Sequence, residues 1–164
     1  MSNDQYERTG RLMFLFVWII LFIGLFLFFY YHGKSENPIY SSSRSEVTLN
    51  ADREGHYHIK GNINDYPVEF LIDTGATLVA IPQNIADRLH IIGRYPITMS
   101  TANGEVTGSL TRLQQLSFGE FVLNDVKAVI IPGNDDGVVL LGMNVLSQFN
   151  LEQQDKKLLL KRAR

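Results

Sequence analysis

Leu12 to Tyr31 is twenty residues without a charged side chain, holding most of the ten phenylalanines and the only tryptophan. At about 1.5 Å per helical residue, such a stretch reaches about 30 Å, the depth of a bilayer's hydrocarbon core. A single transmembrane helix is expected over residues 12–31, with Trp18 inside and Tyr30 and Tyr31 at the far interface, where tyrosine suits the headgroup belt. A cleaved signal peptide would have an apolar region of about 7–15 residues and a small-residue cleavage site. Neither fits this stretch. Arg8 and Arg11 precede it and Lys34 and Arg44 follow, so the charge bias is slight. Residues 1–11 are expected to form a short cytoplasmic tail, with the C-terminal domain outside.

Without that stretch about 130 residues remain, a common domain size. A chain that is 45% hydrophobic and 20% charged is not disordered over most of its length. The formal net charge of -2 offers no electrostatic footprint for nucleic acid, so no nucleic-acid partner is expected. The absence of cysteine excludes disulfides, thiol catalysis and thiolate metal sites. Residues 32–53 are rich in Ser, Asn and charge and are expected to be a polar tether, leaving 54–164 as the folded domain.

That domain reads as short strands cut by turns. His56 to Ile63 alternates, and Tyr66 to Ile72 becomes continuously apolar. Leu78 to Ile81 is a short apolar run, after which Pro82 opens a helix with Ile85 and Leu89 on one face. Ile97 to Thr101, Asn103-Gly104 and Glu105 to Thr111 read as a hairpin, because Asn-Gly favours a type I′ turn. Leu113 to Phe118 and Phe121 to Ile131 flank Gly119-Glu120 as a second hairpin. Val138 to Leu141 reads as a buried strand, Gly142 to Phe149 as a short helix and Leu158 to Leu160 as a closing strand. The fold class is therefore all-β, a small closed barrel with one or two short helices.

The densest chemical signal is Phe70-Leu71-Ile72-Asp73-Thr74-Gly75-Ala76-Thr77. An aspartate directly after a buried apolar strand is costly unless hydrogen bonds or a shifted pKa relieve it. Gly75 permits a tight turn whose N–H groups point back at the carboxylate, and Thr74 supplies a hydroxyl. The alternative is an ordinary turn, since Asp, Thr and Gly are frequent loop formers. The apolar residues ahead and Ala-Thr behind favour the functional reading.

This segment resembles the active-site signature of the retropepsin-like aspartic proteases, and Ser100-Thr101-Ala102-Asn103-Gly104 is similar to the flap tips of their bacterial membrane-anchored branch. Val139-Leu140-Leu141-Gly142-Met143-Asn144-Val145-Leu146 resembles the family's second signature, carried by Leu140, Leu141, Gly142 and Asn144. The hairpin from Thr98 to Leu110 sits where the family has its substrate-covering flap, with a tip at Thr101, Ala102, Asn103 and Gly104. The resemblance covers about residues 55 to 162. It departs from retroviral members at Met143, where they often carry a basic residue, so the charge pair that residue makes is not carried over.

The resemblance implies a catalytic Asp73, with Thr74, Gly75 and Ala76 supporting its loop. Aspartic proteolysis needs two carboxylates sharing one proton. The chain has one Asp-Thr-Gly, and Asp135-Asp136 lacks both the apolar strand and the Thr-Gly, so it reads as a turn leading to Gly137. A homodimer with one active site on its two-fold axis is expected, in which Thr74 of each copy braces the loops. Gly104 and Gly108 are expected to ease bending of the flap. Ala76, Ala80, Ile81 and Val106 are expected to line a cleft for apolar peptide or protein substrates. The resemblance also implies a cell inner membrane, with the protease domain periplasmic or otherwise extracytoplasmic. A competing reading is a catalytically inactive peptide-binding or dimerisation module.

Weaker signals remain. His56 and His58 share one face of the expected strand, a spacing some metal sites use. No third ligand is visible nearby, so neither a metal nor another cofactor is expected. Lys156, Lys157, Lys161, Arg162 and Arg164 form a basic end, read as solvated, with contact to anionic lipid as the alternative.

Overall fold

The computed structural model describes residues 3–32, 41–43, 46–101, 104–133 and 137–163. The chain divides into two units, Met1–Asn37 and Pro38–Arg164. The first is carried by helix α1 (Asn3–His32), in which Phe14, Trp18 and Phe22 stack at successive four-residue steps with ring centroids 6.1 Å apart. Side chains 13, 14 and 16–28 are described there, and all are exposed. Among the described residues no helix is long and apolar enough to cross a membrane. The transmembrane helix expected over Leu12 to Tyr31 is therefore not found among them.

Among the described residues, the second unit has eleven strands and two short helices. Strands β1 (Ser41–Ser43) and β2 (Glu46–Asn50) come first, followed by β3 (His58–Ile63), β4 (Tyr66–Ile72) and β5 (Val79–Pro82). Helix α2 (Gln83–Arg88) precedes β6 (Tyr95–Thr101), β7 (Gly104–Phe118), β8 (Phe121–Ile131) and β9 (Val139–Leu141). Helix α3 (Met143–Leu146) and strands β10 (Phe149–Gln154) and β11 (Lys157–Arg162) complete it.

Six strands close on themselves in the order β3-β4-β9-β5-β8-β7, with β7 returning to β3. Closure removes the open edges that would otherwise invite pairing with another chain. The length of β7 makes the ring possible. Its C-terminal end pairs with β3 (Ile63 opposite Leu116), while its N-terminal part pairs with β6 outside the ring. The two strands expected at Glu105 to Thr111 and Leu113 to Phe118 are thus one continuous strand.

Three two-residue turns set the register of the hairpins. Asn64 and Asp65 (φ 47° and 68°) join Ile63 to Tyr66, and Asp155 and Lys156 (φ 49° and 59°) join Gln154 to Lys157. Positive φ at both central positions matches the twist of the flanking strands. Gly119 and Glu120 join Phe118 to Phe121.

The core combines alternate residues of the ring with those of a second sheet, ordered β1-β2-β11-β10. Phe118 lies within 5.5–6.4 Å, ring centroid to centroid, of Phe70, Phe121 and Phe149, so residues from β4, β7, β8 and β10 meet in one aromatic cluster. Each such side chain contributes about 1.5–3 kcal/mol by leaving water. The buried hydroxyl of Thr111 donates to the Ile92 carbonyl at 3.0 Å.

The second sheet corrects the expected tether and the domain start at residue 54. Val47 and Leu49 are fully buried, and Leu49 lies opposite Leu158 in β11. Two alternating apolar residues among Ser, Asn and charge are too few to stand out in composition, yet they suffice for a five-residue strand with one buried face. Residues 33–40, 44 and 45 of that stretch lie outside the described residues. At the other end of the domain, Pro82 is the last residue of β5 and the N-cap of α2, a little ahead of its expected place in the first turn.

Candidate active site

Asp73 follows the last residue of β4, which runs parallel to β9 with Ile72 opposite Leu141. The Asp73 N–H donates to the Leu141 carbonyl at 3.2 Å, so the aspartate starts its loop while still tied to the ring. The loop then turns back on itself. The Gly75 N–H donates to Asp73 Oδ1 at 2.8 Å, and the Ala76 N–H donates to the Asp73 carbonyl at 3.3 Å. A Cβ on Gly75 would lie 3.1 Å from Asp73 Oδ1, a close approach that glycine removes. Asp73 is half-buried, and Thr74 and Gly75 are exposed beside it. A carboxylate with one oxygen anchored by an amide keeps the other available for chemistry.

The loop is held from below by α3. The Met143 and Asn144 N–H groups donate to the Ala76 and Thr77 carbonyls at 2.8 and 3.0 Å. These are helix N-terminal amides, which need acceptors from outside the helix. The N-cap is Gly142, which has no side chain to cap them, and the loop carbonyls serve instead. Glycine is required there, because a Cβ would sit 2.4 Å from the Leu78 carbonyl oxygen and 2.8 Å from that of Ala76. Asn144 completes the brace. Its Oδ1 accepts from the Val79 N–H at 3.0 Å and its Nδ2 donates to the Lys127 carbonyl at 2.8 Å. Leu141 is buried in the core and Leu140 lies opposite Ala80 in β5. The two sequence signatures are thus one hydrogen-bonded unit, through the Met143 and Asn144 amides on the Ala76 and Thr77 carbonyls.

The hairpin expected from Thr98 to Leu110 is formed by β6 and β7. Strands β6 and β7 form an exposed antiparallel arm, with Thr101 opposite Gly104 and the Thr101 hydroxyl donating to the Gly104 carbonyl at 2.8 Å. Ala102 and Asn103, between these two residues, lie outside the described residues. Gly104 has φ 108°, a conformation glycine adopts without strain. Gly108 is not a bending point. A Cβ there would lie 2.6 Å from the Ile130 carbonyl oxygen, so glycine admits β8 against β7.

Of the expected cleft residues, Ala80 and Ile81 are buried (Ile81 fully, in the core), leaving Ala76 and Val106 half-buried. Two surface hollows, one around Gly61 and Arg88 and one around Asn124 and Arg162, exclude Asp73. Asp135 and Asp136 lie outside the described residues.

The histidine reading also changes. His56 lies in the turn ahead of β3, which begins at His58. The turn brings a third candidate ligand, Asp52, to both imidazoles. Its signal was present as Asp52-x-x-x-His56-x-His58, but only a folded turn joins the first position to the last. Burial pushes the Asp52 carboxyl up. The N–H groups of His56 and Glu54 and the two imidazoles outweigh that and hold it below its ordinary value.

A family model described as "gag-polyprotein putative aspartyl protease" matches residues 59–148. A crystal structure of a retropepsin-like aspartic protease from Rickettsia conorii superposes with a TM-score of 0.64 at 26% identity, covering 76% of this chain and 96% of that one. An uncharacterised protein of Rickettsia prowazekii is 31% identical over 124 residues, covering 74% of this chain and 53% of its own length. An uncharacterised Sinorhizobium protein encoded in the cobV 5′ region is 26% identical, covering 69% and 50%. The chain spans about half the length of these two curated relatives.

Proposed function

The chain belongs to the retropepsin-like aspartic protease family, and on that premise we propose that it is an aspartic endopeptidase active as a homodimer. One observation carries the reading: a half-buried Asp73 carboxylate, pinned through one oxygen by the Gly75 amide, stands at the end of a core strand. Each chain has a single Asp-Thr-Gly, so a second copy supplies the other acid. Two carboxylates about 3 Å apart cannot both ionise and share one proton. The ionised member takes a proton from water as its oxygen attacks the peptide carbonyl carbon. The protonated member donates to the carbonyl oxygen. The tetrahedral adduct collapses as the C–N bond breaks and the amine leaves with a proton. Exposed Thr74 would meet its counterpart across the two-fold axis, and the β6–β7 arm would cover an extended peptide.

Membrane attachment through Leu12 to Tyr31 is part of the proposal. It is supported by twenty uncharged residues and by the exposure of every described apolar side chain of α1. The protease domain would then be external to an inner membrane. A shared membrane plane raises the effective concentration of partners and so favours dimers.

The test uses the full chain and its Asp73→Asn variant, each incubated with a peptide library in detergent. Cleavage by the first and not by the second is expected, from a dimer in sedimentation. Equal cleavage by both, or none by either at acidic and neutral pH, would favour an inactive binding module. Alkaline extraction of membranes that releases the chain would remove the anchor.

A further inference from the structure

We infer that Asp52, His56 and His58 form a binding site for one divalent cation of the zinc class, on the turn that leads into β3. One ligand atom from each of the three lies within 4.8 Å of the others. Asp52 Oδ2 is 3.3 Å from His58 Nε2 and 3.9 Å from His56 Nδ1. Ligands at zinc–nitrogen and zinc–oxygen distances around a tetrahedral ion stand about 3.3–3.5 Å from one another. The cluster is therefore close to that geometry, and His56, which must close in, is exposed. Two imidazoles and one carboxylate suit zinc, with solvent in the fourth position.

The carboxylate is set in advance. Asp52 Oδ1 accepts from the Glu54 N–H at 2.9 Å and the His56 N–H at 2.8 Å, which leaves Oδ2 turned toward both rings. The turn is closed by its backbone, with the Asp52 N–H on the His56 carbonyl at 2.8 Å. His58 has the outer partner a metal-ligating histidine uses. Its Nδ1 is buried and makes no hydrogen bond of acceptable geometry, yet Glu69 Oε1 stands 3.3 Å away. A cation on Nε2 fixes the proton on Nδ1, with that carboxylate as its nearest acceptor, an arrangement that orients the ring and raises its basicity. Glu54 Oε2 lies 3.6 Å from His56 Nδ1. Three carboxylates around two imidazoles leave the cluster negative when the rings are neutral, which favours a cation.

The site is independent of the proteolytic reading but adjoins its machinery. The carbonyl of Tyr57, between the two histidines, accepts the Ile72 N–H at 2.9 Å, one residue before Asp73. A bound cation closes the chain on both sides of that contact and stabilises the strand from which the acid loop leaves.

The experiment is calorimetric titration of the chelator-treated full chain with zinc. One ion per chain is expected, with at least tenfold weaker binding in both Asp52→Asn and His56→Gln. Glu69→Gln should weaken it about tenfold. His90→Gln and Asp73→Asn should leave it unchanged, which separates this site from the acid loop. Cobalt(II) should give the visible absorption of a four-coordinate site with nitrogen ligands, lost in His56→Gln. His56 is exposed, so that variant keeps its fold and carries the test even if Asp52→Asn does not. No saturable binding up to about 1 mM zinc, or affinity undiminished in His56→Gln, would overturn the inference.

Discussion

The Asp73 loop and the β6–β7 arm are both turns that present residues to one site, and they are built in opposite ways. Every turn of the first is tied down. Asp73, Gly75 and Ala76 donate within it or to the ring, while Ala76 and Thr77 accept from α3. The arm is held chiefly by its own ladder, with Thr98, Ser100, Thr101, Gly104 and Glu105 exposed. Segments with exposed hydrogen bonds and few buried contacts open at low free energy, whereas a loop braced from the core opens only when the core does. The contrast teaches a division of labour. On the proposed reading, the proton-transferring group would sit on the braced part, where position decides rate, and the covering element on the part with exposed hydrogen bonds.

That contrast predicts where substitutions read out as lost activity and where as lost stability. The largest effect is Asp73→Asn, which keeps an acceptor for the Gly75 amide. Its unfolding curve should match the parent while peptide hydrolysis falls by about a thousandfold or more. A matching loss of stability would mean that the carboxylate is structural. Next is Gly142→Ala, which drives a methyl into the Leu78 and Ala76 carbonyls. Denaturant unfolding should show a loss of about 2–4 kcal/mol. Asn144→Ala removes the side-chain hydrogen bonds from α3 to β5 and β8 and strands the Val79 amide. About 2 kcal/mol of stability should go, with hydrolysis falling as the loop loosens.

The smallest effect is on the arm. Gly104→Ala meets no neighbouring atom but must hold a φ of 108°. Melting should cost about 1 kcal/mol or less of global stability, while KM for a peptide substrate rises. A global loss as large as that of Gly142→Ala would erase the distinction between the two regions.

The acid loop was legible because its chemistry is contiguous: an apolar strand, an acid, a hydroxyl and a glycine within eight residues. Leu140, Leu141, Gly142 and Asn144 were legible through resemblance, but their role was not. That Gly142 is a point of contact and that Asn144 ties β5 to β8 depends on strands far apart in the chain. Gly108 shows the limit of reading glycine as freedom, since here it admits a neighbouring carbonyl. Val47 and Leu49 were missed because two apolar residues become a strand only once β11 lies beside them.

Sequence by itself determined the all-β pattern, the solitary Asp-Thr-Gly and the uncharged stretch near the N-terminus, since strand alternation, turn chemistry and hydropathy are local properties. Tertiary structure alone decided that β7 closes the ring, that α3 caps the acid loop with its own amides, and that Asp52 meets His58. Those are encounters between groups whose separation along the chain says nothing about their separation in space, and hydrogen bonds and ligand fields act only over the latter.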